Sequence, residues 1–323
     1  MRKLAAIGLA IAATFSLSGC APATFESDLA SIKPACEAYS SKPGDAASKI
    51  EADTSGAGAP KITFPLGING DEISTKVLEE GDGPTFTGNQ LVDLEYMGIN
   101  GGTGKQFQAS SFKGTDFVSQ YLQAGQKPDF CHAVSGAKQG SLVAFVVPAK
   151  LAHAGQGIPD LGIGANDSIV FVFKLLKVFL PHAIGEEQRP ESGFPSVVRA
   201  ETGEPGITMT GKDAPKELKT SVLIRGRGEK VKQGDIVTVH YTGMVWNGVQ
   251  FDSSWDNGQP TQFELTKGKL IDGFVQALDG QTVGSQIIAI IPPELGYGNQ
   301  EQSLIPANST LVFVIDILGT NSK

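Results

Sequence analysis

The chain is poor in the residues that carry most redox and metal chemistry. Its 323 residues include three cysteines, four histidines and two tryptophans. His132, His153, His182 and His240 show no ligand spacing with one another or with the cysteines, so no metal site is expected. Blocks of like charge are missing, and a formal net charge of -8 leaves no basic excess. A nucleic-acid binder, which needs a basic patch, is therefore not expected. The apolar run Leu4 to Leu17 is too short to span a bilayer. In the stretch VHYTGMVWNGVQFDSSW, Val239 to Trp255, nothing looks like a nucleophile with its base.

What is present is turn-forming sequence around real cores. Forty glycines and 18 prolines accompany 40% hydrophobic and 19% charged residues, a composition that favours short strands. The length suggests roughly two domains. At the start, Arg2 and Lys3 precede the apolar run, and LSGC, Leu17 to Cys20, follows it. Small residues immediately before a cysteine are the pattern of a bacterial lipoprotein signal, cleaved before Cys20 and acylated on its thiol. An ordinary secretory peptide cut at a small-residue site is the alternative. Each acyl CH₂ buried in a bilayer adds about 0.8 kcal/mol, so two or three chains would anchor the protein to the membrane on its extracytoplasmic face. With Cys20 acylated, Cys36 and Cys131 remain in a compartment where disulfides persist. Pairing is expected, two separate buried thiols being the alternative.

The chain also repeats itself. With an offset of 145, Val77, Leu78, Gly81, Gly83, Val92, Tyr96 and Gly98 fall on Val222, Leu223, Gly226, Gly228, Val237, Tyr241 and Gly243. Near the ends, ANDSIVFVFKLL (Ala165 to Leu176) matches ANSTLVFVIDIL (Ala307 to Leu318). So long a period indicates domain duplication. Residues 1–20 then read as signal peptide, 21–60 as a flexible tether and 61–180 as the first domain. Residues 181–213, which include PHAIGEEQRPESGFP, read as a linker, and 214–323 as the second domain. Each copy reads as alternating strands with a hairpin, marked in the second by Asn247-Gly248. One helix is convincing, IDGFVQALDGQ (Ile271 to Gln281), with Ile271, Phe274, Val275 and Leu278 on one face. GINGGTGKQ (Gly98 to Gln106) has the wrong glycine spacing for a phosphate loop and reads as a glycine-rich hairpin.

In the second copy, VHYTGM…FDSSW, IDGF, PPELGYG and IPANSTLVFVIDIL occur in order across Ser221 to Leu318. This set resembles the FKBP-type peptidyl-prolyl cis–trans isomerases, the macrolide-binding immunophilins, and the first copy is similar at a greater distance. A lipoprotein signal followed by two such domains also resembles lipoproteins of high-GC Gram-positive bacteria. The resemblance implies an α+β fold, with two domains that each wrap a five- to six-stranded antiparallel sheet on one short helix. It implies a cofactor-free isomerase acting on exported proline-containing polypeptides, with macrolides as possible ligands.

By the same resemblance Tyr241, Phe251, Phe263, Phe274 and Phe313 line a proline pocket, with Leu270, Ile271 and Ile305 beside them and Phe274 as the floor. Asp252 accepts a hydrogen bond from Tyr241, Tyr297 donates to a substrate carbonyl, and the Ile271 amide serves another. Phe274 stands where many members have tryptophan, Asn257 and Thr261 where many have a basic and an aromatic residue, and Gly298 to Pro306 is atypical. In the first copy Gln108 takes the place of Asp252, His153 that of Tyr297, Lys127 that of Ile271 and Asp129 that of Gly273, while Phe130 keeps the floor. A hydrated lysine at the mouth opposes a dry pocket, so the first copy is expected to be a poor isomerase or none.

Overall fold

The computed structural model describes residues 23–39 and 44–322, so Cys20 and the signal sequence lie outside the described residues. The two repeats fold alike. The first has strands Ser74–Glu79, Gln90–Asn100, Gln106–Ala109, Val118–Leu122, Leu142–Val147 and Ile169–Val178, with helix Phe130–Val134 between the fourth and fifth. The second has Lys219–Arg225, Ile236–Val245, Gln250–Ser253, Thr261–Glu264, Gln286–Ile291 and Leu311–Asn321, with helix Asp272–Leu278 in the same place. Both sheets run in the order first, fifth, sixth, second, third, and the fourth strand also pairs with the second; in the second copy Glu186–Glu187 adds a seventh strand beside Lys219–Arg225. Every pairing is antiparallel. This is the α+β pair expected from the repeats.

The helix expected over Ile271 to Gln281 spans Asp272–Leu278 and buries Phe274, Val275, Ala277 and Leu278 against the sheet. The short helix expected in the first copy is Phe130–Val134, whereas the helices Phe25–Leu29 and Ala149–His153 were not expected. Each has five residues, too few for a 3.6-residue period to repeat.

The stretches read as tether and linker are corrected by the structure, because both fold onto the sheets. Glu51–Asp53 pairs with Lys61–Thr63, and Ser196–Arg199 pairs with Pro205–Thr208. The partners Glu51↔Thr63 and Ser196↔Thr208 are related by the repeat's own offset of 145, so the duplication includes these hairpins. Each covers the outer face of its sheet. Ile50, Ala52 and Ile62 pack with Met97, Ile99, Val146, Val170 and Val172. Phe194, Val197 and Ile207 pack with Leu223, Ile288, Ile290, Val312 and Val314. The cause lies in the sheets themselves: Leu142–Val147 and Gln286–Ile291 are buried at all six positions, and a strand apolar on both faces needs two covers. The helix side supplies one and the hairpin the other.

Residues 24–36 also dock between the copies. Thr24 caps Phe25–Leu29 through a reciprocal pair with Ser27, and Phe25, Leu29 and Ile32 pack on the core of the second copy. Asp28 pairs with Arg227 at 2.6 Å. At the other end Ala35 N–H donates to Thr87 O at 2.6 Å, and a disulfide joins Cys36 to Cys131 in the first copy's helix. The copies themselves meet at Phe179 and Leu180, both buried, whose amides donate to Leu91 O and Leu318 O at 3.1 Å each. A Cβ on Gly319 would stand 2.5 Å from the Phe179 ring, so this junction requires a glycine there.

Candidate active site

Strand alternation builds the site on the inner face of the second sheet. Tyr241 lies across from Ile315 and Gly243 across from Phe313, so both aromatic rings rise towards the helix. Gly243 makes room for them: a Cβ there would lie 2.6 Å from Phe251 Cζ and 3.0 Å from Phe313 Cε1. Phe263 enters from the strand opposite Val237. The helix brings Phe274 to 5.6 Å from Phe263 and 5.3 Å from Phe313, both edge-on. It lies close to the sheet because Gly273 has no Cβ; one there would be 2.3 Å from Ile291 Cγ2.

These rings enclose a cleft of about 500 Å³, bordered also by Leu270, Ile271, Leu295 and Tyr297. Ile271 is the residue that caps the helix. Tyr297, 37% exposed, stands at the mouth. Tyr241 Oη donates to Asp252 Oδ2. Burial, then the Asp252 hydrogen bond and charge, hold the Tyr241 hydroxyl well above the usual tyrosine range, so it stays a neutral donor. Both tryptophans lie off the cleft wall.

The structure thus brings together Tyr241, Phe251, Asp252, Phe263, Leu270, Ile271, Phe274, Tyr297 and Phe313. Ile305, expected beside them, is buried in the same apolar cluster as Tyr241, Phe274 and Phe313 and stands outside the residues that line the cleft. Sequence reasoning missed Lys269, Asp272 and Glu294, which do border it. Asp272 and Glu294 sit inside the IDGF and PPELGYG motifs, where attention to the aromatic and hydroxyl groups passed over them.

The first copy keeps the scaffold and packs a further phenylalanine where the second has its cleft. Register places Phe171 at Phe313, Phe173 at Ile315, Phe145 at Ala289 and Gln120 at Phe263. Phe145, fully buried, packs 4.9 Å from Phe173, 5.4 Å from Phe171 and 5.6 Å from Phe130, filling the space under the helix. Gln108 Nε2 donates to Tyr96 Oη at 2.7 Å, reversing the direction of the Tyr241–Asp252 bond. His153 is held inside its own turn, accepting from Gly157 N–H at 2.9 Å through Nδ1 and meeting Asp167 O at 2.8 Å through Nε2. Lys127, exposed, lies before the cis Lys127-Pro128 bond and the shortened helix.

Comparison with known proteins agrees with this geometry. The family model for FKBP-type peptidyl-prolyl cis-trans isomerase matches residues 227–318, within the second copy. "FK506-binding protein 2" of Dictyostelium discoideum is 45% identical over 93 residues, covering 28% of this chain and 70% of that protein. The chain belongs to the FKBP-type peptidyl-prolyl cis-trans isomerase family. A "Probable FK506-binding protein" of Corynebacterium glutamicum is 39% identical over 116 residues, 36% of this chain and 97% of that one. A probable FKBP-type isomerase of Haemophilus influenzae is 44% identical over 118 residues, and the match spans 35% of this chain and about half (48%) of that protein. Among solved structures, FkpA from Escherichia coli is similar at 35% identity and a TM-score of 0.32, over 41% of this chain and 53% of that one. For this FKBP-family chain, the cleft of the second copy is the candidate active site.

Proposed function

We propose that the second copy catalyses rotation about X-Pro bonds in exported polypeptides, and that the chain is tethered to the cell envelope through a lipid on Cys20. The open aromatic cleft with its Tyr241–Asp252 pair carries the catalytic reading. Rotation must break amide resonance, a barrier of about 18–20 kcal/mol, and forms no covalent bond. A planar amide is more polar than a twisted one, so a site that excludes water favours the twisted form. Lowering the barrier by about 4 kcal/mol gives roughly a thousandfold. The prolyl ring sits among Tyr241, Phe251, Phe263 and Phe313 with Phe274 beneath it. Tyr297 and the Ile271 amide hold carbonyls at the mouth, and a macrolide competes for the same space. Unassisted isomerisation takes tens of seconds, slow enough to delay folding beyond the membrane.

The lipid anchor rests on the LSGC sequence before Cys20. Among the described residues no helix is long and apolar enough to cross a membrane. Metabolic labelling with a fatty acid tests it: loss of label in Cys20→Ser supports the anchor, and unchanged label contradicts it. For catalysis the test is exchange spectroscopy on X-Pro peptides, with added macrolide suppressing the rate. No rate above background, with peptide still bound, would favour a binding module. The first copy, its cavity filled by Phe145, serves docking or spacing.

A further inference from the structure

We infer that the cleft of the second copy selects prolines flanked by lysine or arginine, with Asp272 and Glu294 setting the preference; this rests on the isomerase reading above. Three exposed carboxylates border the aromatic cleft, each from a different element. Asp252 comes from strand Gln250–Ser253, Asp272 from the first turn of the helix, and Glu294 from the single turn Pro293–Leu295 that leads to Tyr297. Lys269 also borders the cleft, but its ammonium is paired with Glu264. An extended chain therefore meets an apolar socket whose rim is negative. The prolyl ring, being neutral, gains nothing from that rim. Residues beside it pass over the carboxylates, where a cation is attracted and an anion repelled.

The first copy separates this feature from the requirements of the fold. Gln108 stands at Asp252 by sheet register. Two residues before the floor phenylalanine, Pro128 stands at Asp272. At the third residue after the fifth strand, Lys150 stands at Glu294. Lys127 adds a second cation beside them. The same scaffold thus carries no carboxylate at these three positions where the cavity is filled, and three where it is open. Folding of the sheet and of the Pro293–Leu295 turn does not demand Asp252 and Glu294. At the helix start the first copy has a carboxylate one position on, Asp129, which caps its helix, so for Asp272 it is the place beside the socket that points to substrate contact.

Exchange spectroscopy on the full chain tests this, using peptides that differ only in the residues flanking the X-Pro pair: lysine, glutamine or glutamate. At low ionic strength the lysine peptide is expected to exceed the glutamate peptide in kcat/KM by roughly tenfold, as exposed charges within a Debye length allow. The ratio should shrink towards one in 1 M salt. It should fall to roughly threefold in Glu294→Gln, approach one in Asp272→Asn/Glu294→Gln, and drop further in Glu294→Lys. Because the readout is a ratio within one protein, partial loss of folding or of overall rate cancels. Equal rates for the three peptides at low salt, or a tenfold ratio that persists in the double variant, overturn this inference and leave the isomerase reading standing. No turnover on any peptide overturns the isomerase reading, and this inference with it.

Discussion

In the first copy four phenylalanines, Phe130, Phe145, Phe171 and Phe173, close on one another under the helix. In the second, the corresponding face opens into a cleft of about 500 Å³. Strand order and register are otherwise shared, so a cavity in this fold is decided by few side chains. Ala289 leaves space where Phe145 takes it, and Phe263 supplies a wall where Gln120 turns to solvent. Burial energy favours the filled copy, and the open one retains apolar surface in contact with water.

The comparison breaks most visibly at Phe145. Phe145→Ala removes a fully buried ring and should cost the first copy about 3–5 kcal/mol in denaturant unfolding, while turnover of the chain is retained. A next-largest effect is expected at the disulfide, which closes a separation of 95 residues and has no counterpart in the second copy. Cys36→Ser should lower stability by about 2–4 kcal/mol, read from the same unfolding curves. The reciprocal of the first substitution, Ala289→Phe, brings the plug into the working cleft. Turnover should fall on the order of a hundredfold, about 2.7 kcal/mol of transition-state stabilisation, with the protein still folded.

Acid should also distinguish the copies. His240, at the position of Glu95, is 4% exposed, stacks at 3.9 Å on Trp255 and meets Ser254 Oγ at 2.9 Å. Burial, and secondarily His182, lower its pKa from 6.5 to about 3. With the folded value depressed, the unfolded chain takes up the proton first, so the stability His240 contributes is present above about pH 6.5 and lost as pH falls towards 3. Asp316 acts in the opposite sense, because burial raises its pKa to about 6. Comparison with His240→Gln isolates the histidine. Between pH 7 and 5 the unmodified chain should lose roughly 2 kcal/mol more than the variant, measured by denaturation at each pH.

The repeat and the α+β fold were legible because long alternating strands survive in the sequence, and most of the cleft was legible because the motifs that hold Tyr241, Phe251, Phe274 and Tyr297 resemble the FKBP family. The hairpins at 51–63 and 196–208 were not. Their strands are three or four residues long, with one or two apolar side chains each, too little for a period to register. The signal lay elsewhere: SQIIAIIP is apolar on both faces, and such a strand implies a second cover. Phe145 escaped for a different reason. A phenylalanine in an apolar strand reads as core in either copy, and only the register across from Phe171 shows that it fills the pocket. Lys127, expected as a hydrated side chain at the mouth of the first copy, is exposed, and the buried Phe145 ring was not foreseen.

The most direct test disables one copy at a time in the full chain and measures exchange on a single X-Pro peptide. Asp252→Ala/Tyr297→Phe removes polar groups at the mouth of the second cleft, and Gln108→Ala/His153→Phe changes the matching positions of the first. Turnover is expected to fall at least tenfold in the former and to stay within twofold of the unmodified chain in the latter. The reverse pattern, or equal losses from both, contradicts the assignment of activity to the second copy.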